Sequence, residues 1–122
     1  MITYSQFSEF FFLACQSTTI TEFMRWAEEL EFYSEQIAES GILYSIWLFS
    51  VDHTSVKIRN FTGMNRAGFC RRYNLPERTV VNWDQNKNYP GDWVLNLLCY
   101  AVLSDVHSAE KAKAPEKMLI ED

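Results

Sequence analysis

Apolar residues recur every three or four positions along much of this chain, a spacing typical of amphipathic helices. The first such stretch predicts a helix from Tyr4 to Cys15. Four phenylalanines supply its apolar face, which Phe12 widens: Phe7, Phe10, Phe11 and Phe12. The same spacing predicts a second helix from Ile20 to about Glu39.

Polar residues and glycines mark the ends of these elements. Thr19 precedes Glu22 by three residues, which is capping-box spacing, and Gly41 is the expected left-handed residue after the second helix. The apolar run from Ile42 to Val51 fits a buried helix or a buried strand, and helix is favoured because its surroundings are helical. Asp52 or Thr54 then caps a short helix through Phe61, which ends at Gly63.

The pattern is sharper from Asn65 onward. Asn65 is the predicted N-cap of "RAGFCRRY", and Asn74 suits the left-handed position of a tight interhelical turn. Pro76 fits the first turn of the next helix, "ERTVVNWDQN", which "KNYPG" terminates. Asp92 caps a last helix, "WVLNLLCYAVLS". Residues 105–122 lack an apolar period and are predicted to be a flexible tail.

Composition narrows the class of protein. The 122 residues suit one domain or a small domain with an appendage, and no apolar run reaches the length of a membrane span. No basic flank precedes the first apolar run, so a secretory signal is not expected. Three widely spaced cysteines argue against a disulfide framework or zinc site. We expect a cytoplasmic protein with no membrane contact.

Charge is distributed unevenly along the chain. The protein is acidic, with net charge −5 and a pI near 5.0. Residues 1–63 carry −5 and residues 105–122 carry −2, whereas residues 64–104 carry +2. The one positive segment is therefore the segment with the helix–turn–helix pattern.

Residues at fixed spacing within that segment carry a resemblance to a known family. The buried positions of that family are matched by Phe69, Tyr73, Leu75, Val80 and Trp83. Cys70 stands at the small-residue position where the two helices cross, and Asn74 stands at the turn. "NWDQN" resembles the family's frequent Trp-Glu-x-Gly helix end. Residues 52–104 thus resemble the DNA-binding domain of the lambda-repressor and Cro-like (Xre-type) family. Asparagine replaces the usual glycine at the turn and at the helix end, and residues 1–51 carry no such resemblance.

The resemblance implies a C-terminal helix-turn-helix domain at 52–104. Apolar spacing predicts an aromatic-rich helical region at 1–51 before it, so the expected fold is all-α. In this family the second motif helix enters the major groove of double-stranded DNA. Position by position, the base-facing candidates are Glu77, Arg78 and Asn82. The phosphate-facing candidates are Arg66, Thr79, Gln85 and Lys87. Arg71 and Arg72, on the first motif helix, are further candidates, and the alternative for either is a solvated charge.

Other conspicuous residues favour structural roles. Trp83 and Trp93 are predicted to lie in the core, and Cys70 and Cys99 to serve packing. His53 and His107 have no partner motif. The run Glu28, Glu31, Glu35 and Glu39 is predicted to form a solvated helix face, because a single stripe of glutamates rarely completes a metal site. No phosphate loop, metalloprotease or nucleophile-elbow motif is present, so we expect no enzyme activity, no metal and no cofactor.

Three functions remain open at this stage. The first is a transcriptional regulator, a repressor of phage or mobile-element type, that binds DNA as a homodimer through its aromatic N-terminal region. The second is an acidic inhibitor directed at a protein, similar to anti-CRISPR proteins, with a partner bound through residues 1–51. The third is an antitoxin whose N-terminal region blocks a toxin.

Overall fold

The fold is known from a computed structural model that describes the backbone of residues 1–52 and 54–120 and the side chains of residues 1–52 and 54–108. In that part of the chain all regular structure is helical. The helices are α1 (Tyr4–Gln16), α2 (Ile20–Ala27), α3 (Glu35–Glu39), α4 (Ile42–Val51), α5 (Ser55–Thr62), α6 (Arg66–Arg72), α7 (Glu77–Asp84) and α8 (Asp92–Ile120). The all-α prediction is confirmed, and Ile42–Val51 is a helix. No helix among the described residues has the length and apolar content to cross a bilayer.

Side-chain caps begin most of the helices. Thr3 and Gln6 form a reciprocal capping box at α1, with bonds of 3.1 and 3.0 Å. The hydroxyls of Thr19 and Thr54 accept the backbone N–H three residues later, as expected for α2 and α5. At α2 the Glu22 carboxylate reaches back to the N–H of Thr18, one residue before the N-cap. These contacts explain why the starting points of these helices follow from local sequence.

Residues 20–39 do not form the single helix that their apolar spacing predicted. Helix α2 ends at Ala27, a turn follows, and Ser34 caps the separate α3 by accepting the Ile37 N–H at 3.2 Å. One continuous helix would place Phe32 on the side opposite Phe23, because successive residues advance by about 100°. The turn brings Phe32 to Phe10 instead, with ring centroids 5.2 Å apart. The four glutamates predicted to share one helix face are consequently divided among a helix end, a turn and α3.

One hydrophobic core joins the N-terminal helices to α8. Phe7, Phe10, Phe23 and Phe49 are almost completely buried in it. Tyr100 of α8 packs against Phe7 at 5.6 Å and donates its hydroxyl hydrogen to the Ile2 carbonyl at 2.6 Å. Most aromatic side chains of residues 1–51 are thus used within the chain rather than on its surface.

Two side chains and the C-terminal end of α8 differ from the predictions. Phe12 is 62% exposed and Trp93 is 69% exposed, so the predictions that Phe12 widens the buried face and that Trp93 is a core residue were wrong. Neither is covered by a neighbouring helix. Helix α8 runs to Ile120, so residues 105–120 are helical where a loose tail was expected. Alanine, lysine and glutamate dominate this stretch, and all three are strong helix formers.

Candidate nucleic-acid interface

Helices α6 and α7 form a compact two-helix unit. The Asn65 side chain caps α6 by accepting the Gly68 N–H at 2.8 Å. Asn74 adopts the left-handed conformation, with φ of +53°, and the Leu75 N–H donates to the Cys70 carbonyl at 2.9 Å. Asn86, just after α7, is also left-handed at +59°. Asparagine tolerates this region better than other non-glycine residues, which explains its presence at both positions.

The inner side of α7 is apolar. Val80 is fully buried, and Trp83 packs partly buried against the core, as predicted. Cys70 is 6% exposed, and burial raises the pKa of its thiol, which therefore stays protonated and serves packing. Cys99 is fully buried as well. The two helices are therefore held together by a small hydrophobic contact.

An ion pair that sequence reasoning did not anticipate anchors the C-terminal end of α7. The Arg59 guanidinium, from α5, donates to both carboxylate oxygens of Asp84 at 3.1 and 2.8 Å. Both side chains are only 15% exposed. Arg66, a predicted phosphate contact, also lies 3.7 Å from Asp84 and is 44% exposed. Because Arg59 and Asp84 are 25 positions apart, no local pattern in the sequence could have linked them.

The outer side of α7 and its C-cap carry a row of exposed and half-buried residues. Arg78, Val81, Asn82 and Gln85 follow the i, i+3, i+4, i+7 spacing and share one helix face. Arg78 and Gln85 are exposed, whereas Val81 and Asn82 are half-buried. Glu77 and Thr79 flank this row on its two sides. Val81 was not among the predicted site residues, although the spacing from Arg78 and Asn82 could have identified it.

Exposed basic residues cluster along α5, α6, α7 and the following turn. All six are on the surface: Lys57, Arg66, Arg71, Arg72, Arg78 and Lys87. Arg72 is partly neutralised, since its guanidinium lies 3.2 Å from Asp105 of α8. These residues give the surface of α5, α6 and α7 a positive charge on a protein whose net charge is −5.

Asp105 also fixes the end of α6. The Tyr73 hydroxyl donates to its carboxylate at 2.9 Å. Burial, together with this hydrogen bond to a carboxylate, raises the pKa of Tyr73 to about 12. Ionising the phenol would remove the donor and place two negative charges side by side.

Tyr73 should therefore make stability depend on pH in the alkaline range. Its folded-state pKa exceeds the ordinary value of 10.0, so its contribution is complete below that pH and is lost as the pH rises through about 12. Urea unfolding between about pH 9 and about pH 12 measures this loss. The variant Tyr73→Phe should show a shallower decline. The remaining decline should come largely from the buried Cys99 thiol, whose pKa is raised to about 12. Equal slopes for the two proteins would contradict the assignment to Tyr73.

A separate cleft of about 640 Å³ opens between the N-terminal segment, α3 and α8. Ile2, Ile37 and Ile42 contribute apolar walls, and His107 lines one side. A His107 ring nitrogen lies 3.5 Å from the Ser45 hydroxyl, so this histidine has a structural contact that the sequence did not predict. His53, the other histidine, lies outside the described residues.

The three predicted base-facing residues all lie within the first six residues of α7. Arg78 and Asn82 share the outer row, and Glu77 stands beside it. The predicted phosphate contacts are distributed around the same helix: Arg66 on α6, Thr79 on α7, and Gln85 and Lys87 after its end. No protein-family model, curated protein or solved structure matches this chain.

Proposed function

We propose that this protein is a non-catalytic, sequence-specific DNA-binding regulator in which α6 and α7 act as a helix-turn-helix. The observation that carries the proposal is the two-sided character of α7. Val80 and Asp84 anchor one side of the helix. On the opposite row Arg78 and Gln85 are exposed, and Val81 and Asn82 are half-buried. A helix anchored in this way presents its outer row to a major groove as a rigid unit.

The chemistry of this row suits the edges of base pairs. Arg78 can form two hydrogen bonds with guanine, and Asn82 can do so with adenine. Val81 lies between them and offers an apolar contact for a thymine methyl group. Glu77, at the edge of the row, can accept a hydrogen bond from cytosine.

Phosphate contacts would come from the residues around this row. Arg66 and Lys87 supply positive charge, and the polar side chains of Thr79 and Gln85 supply hydrogen bonds. Because one chain offers few positive charges, we propose that two copies act together on a two-fold site. Two copies double the positive charge that faces the DNA.

The salt dependence of binding tests this function. The wild-type protein should bind duplex DNA from the region upstream of its own gene, measured by fluorescence anisotropy. If two copies neutralise about five phosphates, affinity should fall roughly 500-fold between about 50 mM and about 200 mM salt. A random duplex of the same length is the control. Equal affinity for both duplexes, or none for either, would contradict a sequence-specific reader.

An inhibitor directed at a protein is the second candidate function. Five glutamates on and between α2 and α3 are exposed: Glu28, Glu29, Glu31, Glu35 and Glu39. Such an acidic surface suits a basic protein partner through electrostatic complementarity. Under this alternative the anisotropy experiment would show no specific DNA complex, and binding to a partner would depend on these glutamates.

A further inference from the structure

Helix α8 exposes two large apolar side chains one turn apart. Trp93 is 69% exposed and Leu97 is 44% exposed. Their spacing of four residues places them on the same face of the helix. Ala101, one turn further along the same face, and Val94, at its border, are half-buried. We call the face formed by Trp93, Leu97 and Ala101 the outer face of α8.

The outer face lies opposite the side that α8 presents to the core. The core side consists of Leu95, Leu98, Cys99, Val102 and Leu103, all of which are buried. A helix that is apolar on two opposite sides is typical of helices that are covered on both. Further along α8, α1 covers part of the helix, because Tyr100 packs against Tyr4 at 5.4 Å and bonds to Ile2. The exposed apolar residues, Trp93 and Leu97, lie in the first two turns of α8.

The distribution of charge on this protein favours a second copy of the chain as the partner that packs on the outer face. Two copies of a protein with net charge −5 repel each other over most orientations. The outer face carries no charged residue. Of the nearest acids on α8, Asp92 lies about 140° around the helix from Leu97, and Asp105 lies about 80° from it and pairs with Arg72 at 3.2 Å. Two such faces can therefore meet without bringing like charges together.

We propose that the outer face of α8 is the contact between two copies of this protein. In a two-fold contact of crossing or antiparallel helices, Trp93 of each copy packs against Leu97 of the other. This assignment rests on the proposed function in one respect, since a two-fold DNA site supplies the reason for pairing. It replaces the N-terminal aromatic region as the pairing surface, because nine of the twelve aromatic side chains of residues 1–51 are buried or half-buried.

The test measures oligomeric state without DNA. Sedimentation velocity over a wide concentration range should give the wild-type protein a mass of twice 14.3 kDa. Leu97→Glu should be monomeric at concentrations where the wild type is dimeric, with an unchanged helical circular dichroism signal. Phe12→Glu is the matched control, since Phe12 is comparably exposed on α1, and it should remain dimeric. If Leu97→Glu loses its helical signal, Trp93→Glu takes its place, because Trp93 is the more exposed of the two.

A monomeric wild type would overturn the proposal, and so would a dimer that persists in both Leu97→Glu and Trp93→Glu.

A DNA-binding measurement on the same proteins separates this outcome from failure of the proposed function. Monomeric Leu97→Glu should bind a single half-site as the wild type does, but should lose the gain in affinity that a second half-site gives. Weaker binding to the single half-site would instead place this face in the DNA contact and overturn the pairing. A wild-type dimer without specific DNA binding would leave the pairing intact and remove the proposed function.

Discussion

Replacing Asp84 by alanine should lower the free energy of unfolding by about 3 kcal/mol, as measured by urea denaturation. The reason is the position of Arg59, whose guanidinium is 15% exposed and bonds to both oxygens of Asp84. Without the carboxylate, a largely buried positive charge has no partner. The loss lies at the lower end of the range for buried pairs because both groups retain some contact with water.

Two controls isolate the ion pair in this experiment. Glu31→Ala removes an exposed acid from the turn between α2 and α3, and it should change stability by less than about 0.5 kcal/mol. The double variant Arg59→Met with Asp84→Leu replaces both partners by apolar groups of similar length and should recover most of the loss. If the loss in the double variant equals the sum of the losses from Arg59→Met alone and Asp84→Leu alone, the pair does not couple α5 to α7.

Arg78→Ala and Asn82→Ala should each weaken specific DNA binding by about 1–3 kcal/mol per half-site, or roughly 5- to 150-fold per half-site. Both residues stand on the outer row of α7, and each can make a two-bond contact to a base. Because they have no role in the core, their melting temperatures should match the wild type. Anisotropy titrations on the preferred duplex and on a random duplex measure the change.

Lys87→Ala is the informative comparison for these two variants. Lys87 follows the end of α7 and is fully on the surface, so it should contact phosphate rather than base. Its removal should weaken binding to both duplexes by a similar factor and reduce the salt slope by about one for each bound copy, or about two for the pair. Asn82→Ala should leave the salt slope unchanged. A uniform loss from Asn82→Ala on both duplexes would contradict its assignment to base reading.

Local sequence was sufficient for much of the helical framework. The starting points at Thr19, Thr54 and Asn65 follow from a side chain that accepts an N–H three residues away. The reversals at Gly41, Gly63 and Asn74 follow from residues that tolerate positive φ. These interactions span only a few residues, so the same short segment contains both the donor and the acceptor, and the pattern can be recognised without knowing the fold.

Burial and long-range pairing depended on the tertiary structure. Apolar periodicity cannot tell which neighbour covers a face, so Phe12 and Trp93 looked like core residues and are exposed. The break after Ala27 allows Phe32 to pack on Phe10 of another helix, a contact between distant residues that periodicity does not predict. Asp84 meets Arg59, and Asp105 meets Tyr73, only because α5, α6, α7 and α8 pack together. The sequence by itself determined where the helices start and where the chain turns, since those are local bonds. Packing between distant segments decided which side of α7 is anchored and which side of α8 is left uncovered.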